Sequence, residues 1–224
     1  MLYTLLGSIN AALIVLSAYG VLLQLKSIYE RRVNNTANPT AVLSVNQFTV
    51  SFVAYFSFYL YAIFIEPINH FLAWPRLLAS VLAWLILVEI YRDRQTRYSK
   101  VSSLLSGFFL CGGLFALTSN VTFNDEGRQL STCLIIVASL LIAQGYTHQF
   151  IQIVKSRSTG AINLKMSQYI LLMDISTIAF ALTMPLTKGW PLMVLAFTSA
   201  ITKLVMMYLF YWVKQFSDTN QQPS

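Results

Sequence analysis

Charge is scarce in this sequence: Asp, Glu, Lys and Arg make up only 10% of its 224 residues, against about a quarter of an ordinary soluble domain. That shortage excludes a disordered or coiled-coil chain. Cysteine is scarcer still. Cys111 and Cys133 are the only two, both lie in apolar stretches, and they form no CxxC pair. Neither a disulfide framework nor a cysteine metal site is indicated. Histidine is limited to His70 and His148, and no HExxH, GxSxG or Gly-rich phosphate loop occurs. No catalytic constellation can be assembled, so no metal or cofactor is expected and the chain reads as a non-enzyme. Acidic residues are outnumbered, 8 against 15 basic, for a net charge of +7. In a soluble protein this excess would invite a nucleic-acid reading; here the positions of the charges decide.

What is abundant is apolar side chain, 56% of the residues. Seven apolar segments can be cut, roughly 2–24, 46–65, 76–91, 101–118, 131–154, 167–187 and 190–213. They run too long, and lack the polar–apolar alternation, for a transmembrane barrel. The expected fold class is all-α transmembrane with seven helices. The first segment has no Lys or Arg before it and is longer than a secretory signal's apolar core, so a retained helix is expected. Basic residues gather after helices 1, 3, 5 and 7: Lys26, Arg31, Arg32, Arg92, Arg94, Arg97, Lys100, Lys155, Arg157, Lys165 and Lys214. The opposite side has only Arg76, Arg128 and Lys188, and Lys203 lies inside a helix. The positive-inside rule then puts the N-terminus outside and the C-terminus in the cytoplasm. The basic excess is thus a topology signal, and nucleic acid is not expected as a partner. Two sequons occur, Asn34-Asn35-Thr36 and Asn120-Val121-Thr122, of which only the second would face outward.

The chain also repeats itself. Helix 1 ends in GVLLQLKSIYERRV (Gly20–Val33) and helix 5 in GYTHQFIQIVKSRS (Gly145–Ser158). Gly20, Gln24 and Arg32 in the first copy match Gly145, Gln149 and Arg157 in the second, and Gln47 and Gln168 begin the helices that follow. The spacing makes each repeat three helices, with helix 4 as an even-numbered linker, so the repeats are parallel. The expected organisation is a first repeat over residues 1–100, a linker helix and outer loop over 101–130, a second repeat over 131–214, and a flexible cytoplasmic tail over 215–224.

The second copy, HQFIQIVKSRSTGAINL (His148–Leu164), resembles the PQ-loop motif of the PQ-loop/SWEET superfamily, with Gln149, Arg157, Ser158, Gly160 and Asn163 at or near matching positions. The first copy, Gln24 to Asn35, matches less well. The motif proline is replaced by Leu23 and by His148, which removes a proline hinge. The resemblance implies a 3+1+3 arrangement of two parallel three-helix bundles joined by a linker helix. It further implies a solute carrier that works by alternating access through a central midplane site between the two repeats. Sugar-carrying SWEETs resemble one another in an asparagine on the third helix of each bundle; helices 3 and 7 here contain none.

The candidate site residues are polar groups inside apolar segments. Asp174 in helix 6 and Lys203 in helix 7 are expected at similar depth, because a tight turn (Thr187-Lys188-Gly189) joins the two helices. Each would cost several kcal/mol alone in hydrocarbon, so a pair or a wet cavity is expected. Helix 5 bears a stripe of Gln144, His148 and Gln152; helix 1 bears Asn10, Ser17 and Gln24. Asp174, Lys203, Gln149, His148, Gln24 and Gln144 are therefore the candidates for binding solute or coupling protons. Glu89 is expected to snorkel toward Arg92, and the aromatics of helix 2 to meet neighbours or lipid. Gly107, Cys111, Gly112 and Gly113 give helix 4 a small-residue surface for close packing. Pro185 and Pro191 read as helix ends. The expected function is a secondary transporter or facilitator for a small polar solute, sugar or amino-acid-like. Its partners are that solute and the lipid bilayer, with a homo-oligomer open. The rival is a receptor or assembly partner of the same fold. A bacterial inner membrane or a eukaryotic endomembrane or plasma membrane would suit either.

Overall fold

The structure is a computed structural model describing residues 1–34, 39–40, 43–118, 124–157 and 164–219, without the side chains of 124, 148, 149, 152, 156, 165, 166 and 216–219. Both sequons, the motif residues Ser158, Gly160 and Asn163, and the end of the tail lie wholly or partly outside the described residues. Among the described residues there are seven α-helices and no strand: α1 (Leu2–Val33), α2 (Val45–Ile63), α3 (His70–Arg94), α4 (Arg97–Thr118), α5 (Asn124–Ser156), α6 (Leu164–Ala181) and α7 (Leu186–Thr219). Five of them (α1, α3, α4, α5 and α7) are long and apolar enough to cross a membrane. The chain is a multi-pass integral membrane protein.

Helices outrun the hydropathy segments because a charge ends an apolar run without ending a helix. α1 continues past Lys26, which pairs with Glu30 one turn on, and closes on Arg31 and Arg32. Both features favour a helix C-terminus. α5 starts earlier than expected, at Asn124, with Asp125 and Glu126 in its first turn, where the helix dipole favours acids. α2 and α3 are capped by the side chains of Ser44 and Asn69. α3 ends on Gln95 in the left-handed region (φ 50°), and Thr96 then accepts from Ser99 N to start α4.

The contacts divide the chain into two compact units, Met1–Ile135 and Ile136–Ser224. In the first, α3 packs on both α1 and α2, and α4 lies against α2 and α3. α2 is buried nearly all round. Phe52, Phe58, Tyr59 and Tyr61 are among the most deeply buried side chains of the chain, so these aromatics face protein rather than lipid. α4 approaches closely because Gly113 sits beneath Phe56 and Tyr59, whose hydroxyl donates to Gly113 O at 3.1 Å. Gly107 likewise makes room for the Trp84 indole, which donates to Ser103 O. Cys111 and Gly112 take no part in this close approach: Cys111 is exposed, and a methyl group on Gly112 would meet nothing within 4 Å.

In the second unit α7 packs along α6, and its side chains also reach α5. In each unit, then, the last helix of the three touches the other two. The α6–α7 turn falls at Leu182–Pro185, not at Thr187-Lys188-Gly189, which forms part of the first turns of α7. Pro185 O accepts from both Lys188 N and Gly189 N, so this proline starts α7. Pro191 lies inside α7 and does not end it. Its missing N–H removes one bond near the helix start, and the helix continues past it.

Candidate functional site

The second unit buries charge in its core. Asp174 on α6 is 4% exposed and Lys203 on α7 is 3% exposed. The Lys203 ammonium lies 3.6 Å from the centroid of the Tyr146 ring on α5, a close cation–π contact. The Asp174 carboxylate is near enough to act on that ammonium electrostatically. Three helices thus converge on one cation: α5 through an aromatic face, α6 through a carboxylate, α7 through the lysine itself.

Depth explains how they meet. Asp174 lies about 10 Å of helical rise from the end of α6, whereas Lys203 lies about 25 Å from the start of α7. The backbones are therefore offset. A helical side chain leans toward the N-terminus of its own helix, so the long lysine runs back along α7 toward the level of Asp174.

Two hydroxyls close to the pair in sequence bond back to their own helices. Thr177, one turn after Asp174, donates to Met173 O at 2.9 Å, and Thr202 donates to Ser199 O at 2.7 Å. Back-bonding of this kind satisfies a hydroxyl within its own helix. Chemically the cluster offers an ammonium with three donors, a carboxylate acceptor and an aromatic face, shielded from bulk solvent.

The other candidates are placed less centrally. Gln24 and Gln144 point away from protein, and Asn10 is buried. Ser17, half-buried, donates to Ile14 O. The helix 1 stripe thus spans different surroundings and is not one polar lining. His148, Gln149 and Gln152 lie on α5, but their side chains are outside the described residues. Among the described residues no group of His, Cys, Asp and Glu could hold a metal.

Glu89 corrects an expectation. It does not snorkel: it is 1% exposed, and Arg32 of α1 and Arg92 of α3 come in to it. At the other end of α3, buried Arg76 stacks 4.7 Å from the Phe58 ring centroid and 5.7 Å from that of Tyr55.

Sequence reasoning missed Tyr146, one tyrosine among 12, and it missed a second repeat signal. Trp74-Pro75 and Trp190-Pro191 each fall five and six residues into their helices, α3 and α7. From each proline the order of buried and exposed positions is the same through Ser80 and Ala196. Searching the third helices for a shared dipeptide would have found it.

No family model matches the chain, and no curated protein matches it. Among solved structures, a eukaryotic SWEET transporter superposes with a TM-score of 0.69 at 11% identity, covering 96% of this chain and 100% of that one. The fold is therefore SWEET-like.

Proposed function

We propose that the protein is a membrane transporter moving a small polar solute by alternating access, with Asp174 and Lys203 as the groups that meet the solute at mid-membrane depth. The observation that carries this reading is the buried ammonium–carboxylate–aromatic cluster in a SWEET-like fold. Intramembrane ionisable residues are costly, and where they occur they mark solute or proton paths. A likeness to a sugar carrier suggests a sugar. The cluster instead suits a zwitterion of amino-acid type, whose carboxylate and ammonium complement Lys203 and Asp174, and α3 and α7 bring no asparagine. The same reading includes seven spans in a 3+1+3 order, an outside N-terminus, and Gln24, Gln144, His148 and Gln149 as secondary solute or proton contacts.

The test is counterflow in liposomes holding the purified protein, over a panel of sugars and amino acids. Saturable exchange of one class, lost at least tenfold in Lys203→Met while the variant remains folded, is the expected result. Saturable binding with no exchange of any solute would favour a receptor instead. Undiminished pH-driven uptake by a folded Asp174→Asn variant would exclude that carboxylate from proton coupling, because a neutral amide mimics the acid but cannot release a proton.

A further inference from the structure

A buried ammonium is ordinarily met by oxygen. Lys203 is buried, yet none of the described residues accepts a hydrogen bond from it. What lies on its ammonium is the face of the Tyr146 ring, at 3.6 Å from the ring centroid, while Asp174 acts on the charge electrostatically. A π face attracts a cation, but it is a weaker and less directional partner than an anionic oxygen, which forms short charge-assisted bonds. A carboxylate brought to the ammonium would therefore displace the ring. In the first unit the counterparts of Tyr146 and Lys203 are Val21 and Leu87, so the ring and the cation come as a pair.

The helix beneath the ring is locally weak. Gly145 precedes Tyr146, and glycine inside a helix is destabilising. A methyl group there would meet nothing within 4 Å, so close packing does not call for this glycine. Thr147 follows, and its hydroxyl donates to Ala143 O at 2.8 Å. Such back-bonding slightly destabilises and often bends a helix. The ring itself is half-buried, 6.1 Å from the Phe150 ring between centroids, and packs on the cluster that contains Met206. Methionine adapts to shifted neighbours, so the ring can turn without stranding its apolar contacts.

We propose that the Tyr146 ring is a displaceable cover over Lys203: it holds the ammonium before solute enters and competes with the solute's carboxylate for it. The return of the ring then helps the carboxylate leave. This rests on the reading that Lys203 meets the solute, so the cover is tested first without any solute. Methyl acetimidate, a small amine reagent, is reacted with the intact chain in nanodiscs, and each lysine is followed by mass spectrometry. Tyr146→Leu and Tyr146→Met, which remove the ring, should each speed the reaction at Lys203 at least tenfold. Tyr146→Phe, which keeps the ring face, should stay within twofold of the unsubstituted protein. Lys188 in the same unit and exposed Lys26 in the other should not change. Unchanged rates at Lys203 overturn the proposal, as does a phenylalanine variant as fast as the leucine one. A rise at Lys203 matched at Lys188 would mean loosened packing and overturns it too.

The second experiment reads the competition. Counterflow in liposomes uses alanine, serine, leucine and glutamine as probes. For a probe that exchanges, Tyr146→Leu should lower KM at least fivefold, because no ring has to be displaced, and should lower the maximum rate by a similar factor, because no ring returns. Tyr146→Phe should leave both within twofold. A raised or unchanged KM in Tyr146→Leu overturns the proposal, since the ring would then be part of the solute's own binding surface or have no bearing on it. Protein that exchanges none of the probes, yet shows the contrast at Lys203, would sink the transport reading and leave the cover standing.

Discussion

The two units bury their charges in different places. In the first, charged side chains sit at the ends of α3, with Arg76 near its start and Glu89 to Arg94 at its close, while its middle is filled by Ile86 and Leu87. In the second, the middle of α7 holds Thr202 and Lys203 at the aligned positions, and an apolar cluster through Met206, Leu209, Phe210 and Val213 follows before Lys214. One backbone plan therefore carries two chemistries. A charge near a helix end reaches partners or water cheaply and acts as a fastener. A charge in the middle must be surrounded by protein and met by partners there. The comparison teaches that α3 and α7, alike from their Trp-Pro pairs through Ser80 and Ala196, are not duplicate parts.

The largest expected effect tests the middle of the second unit. Replacing Lys203 by methionine keeps an adaptable side chain against Tyr146 but removes the cation beside Asp174. The cost should be about 3–5 kcal/mol, and adding Asp174→Asn should recover much of it. Denaturant titration in detergent reads the stability of all three variants. Leu87→Met, at the aligned position of the first unit, should cost less than about 1.5 kcal/mol, since it exchanges hydrophobes of similar volume. If Lys203→Met cost as little as Leu87→Met, the buried charge would not differ energetically from packing, and the contrast between the units would fail.

A smaller effect separates two glycines, one in each unit, at which a helix comes close to its neighbour. A methyl group on Gly189 would meet the backbone carbonyl of Ala181 at 2.5 Å, whereas one on Gly113 would meet the Phe56 ring at 2.8 Å. A ring can turn and a backbone carbonyl in a tight turn cannot. Gly189→Ala should therefore cost toward the upper end of the range of about 1–3 kcal/mol expected for overpacking, and Gly113→Ala toward the lower end. Thermal midpoints measured side by side give the order, and an inverted order would show the α6–α7 turn to be the more pliant of the two.

Much of this was legible in the sequence, for reasons that differ by residue. Helices announce themselves by long apolar runs, and Asp174 and Lys203 stand out because charge inside such a run is rare. What one sequence hides is partnership. Nothing about Tyr146 distinguishes it from the lipid-facing tyrosines until α5 is packed beside α7. Glu89 looked like an interfacial snorkeler because its neighbour Arg92 is visible three positions away, while Arg32 is 57 positions back in the chain. The position of the α6–α7 turn was misread because Gly189 suggested the turn, when Pro185 sets it and Gly189 is needed for close approach to α6.

The smallest expected effect concerns the junction of α3 and α4, where Gln95 holds φ at 50°. A residue with a Cβ pays about 1 kcal/mol for the left-handed region, and glycine does not. Gln95 also follows directly on the fastened turn, so its backbone is already held by Arg94 on one side and by the Thr96 cap on the other. Its N–H closes α3 on Tyr91 O, a bond that glycine keeps. Gln95→Gly should therefore relieve the strain without loosening the junction, and raise stability by about 0.5–1 kcal/mol. Arg157, at φ 50° at the end of α5, provides the control. There the same substitution also removes a side chain with interactions of its own, so the gain should shrink or reverse. Chemical denaturation of both variants reads the difference directly. Equal gains at the two sites would mean that backbone strain alone governs these helix ends, and that the fastening of α3 adds nothing to its junction with α4.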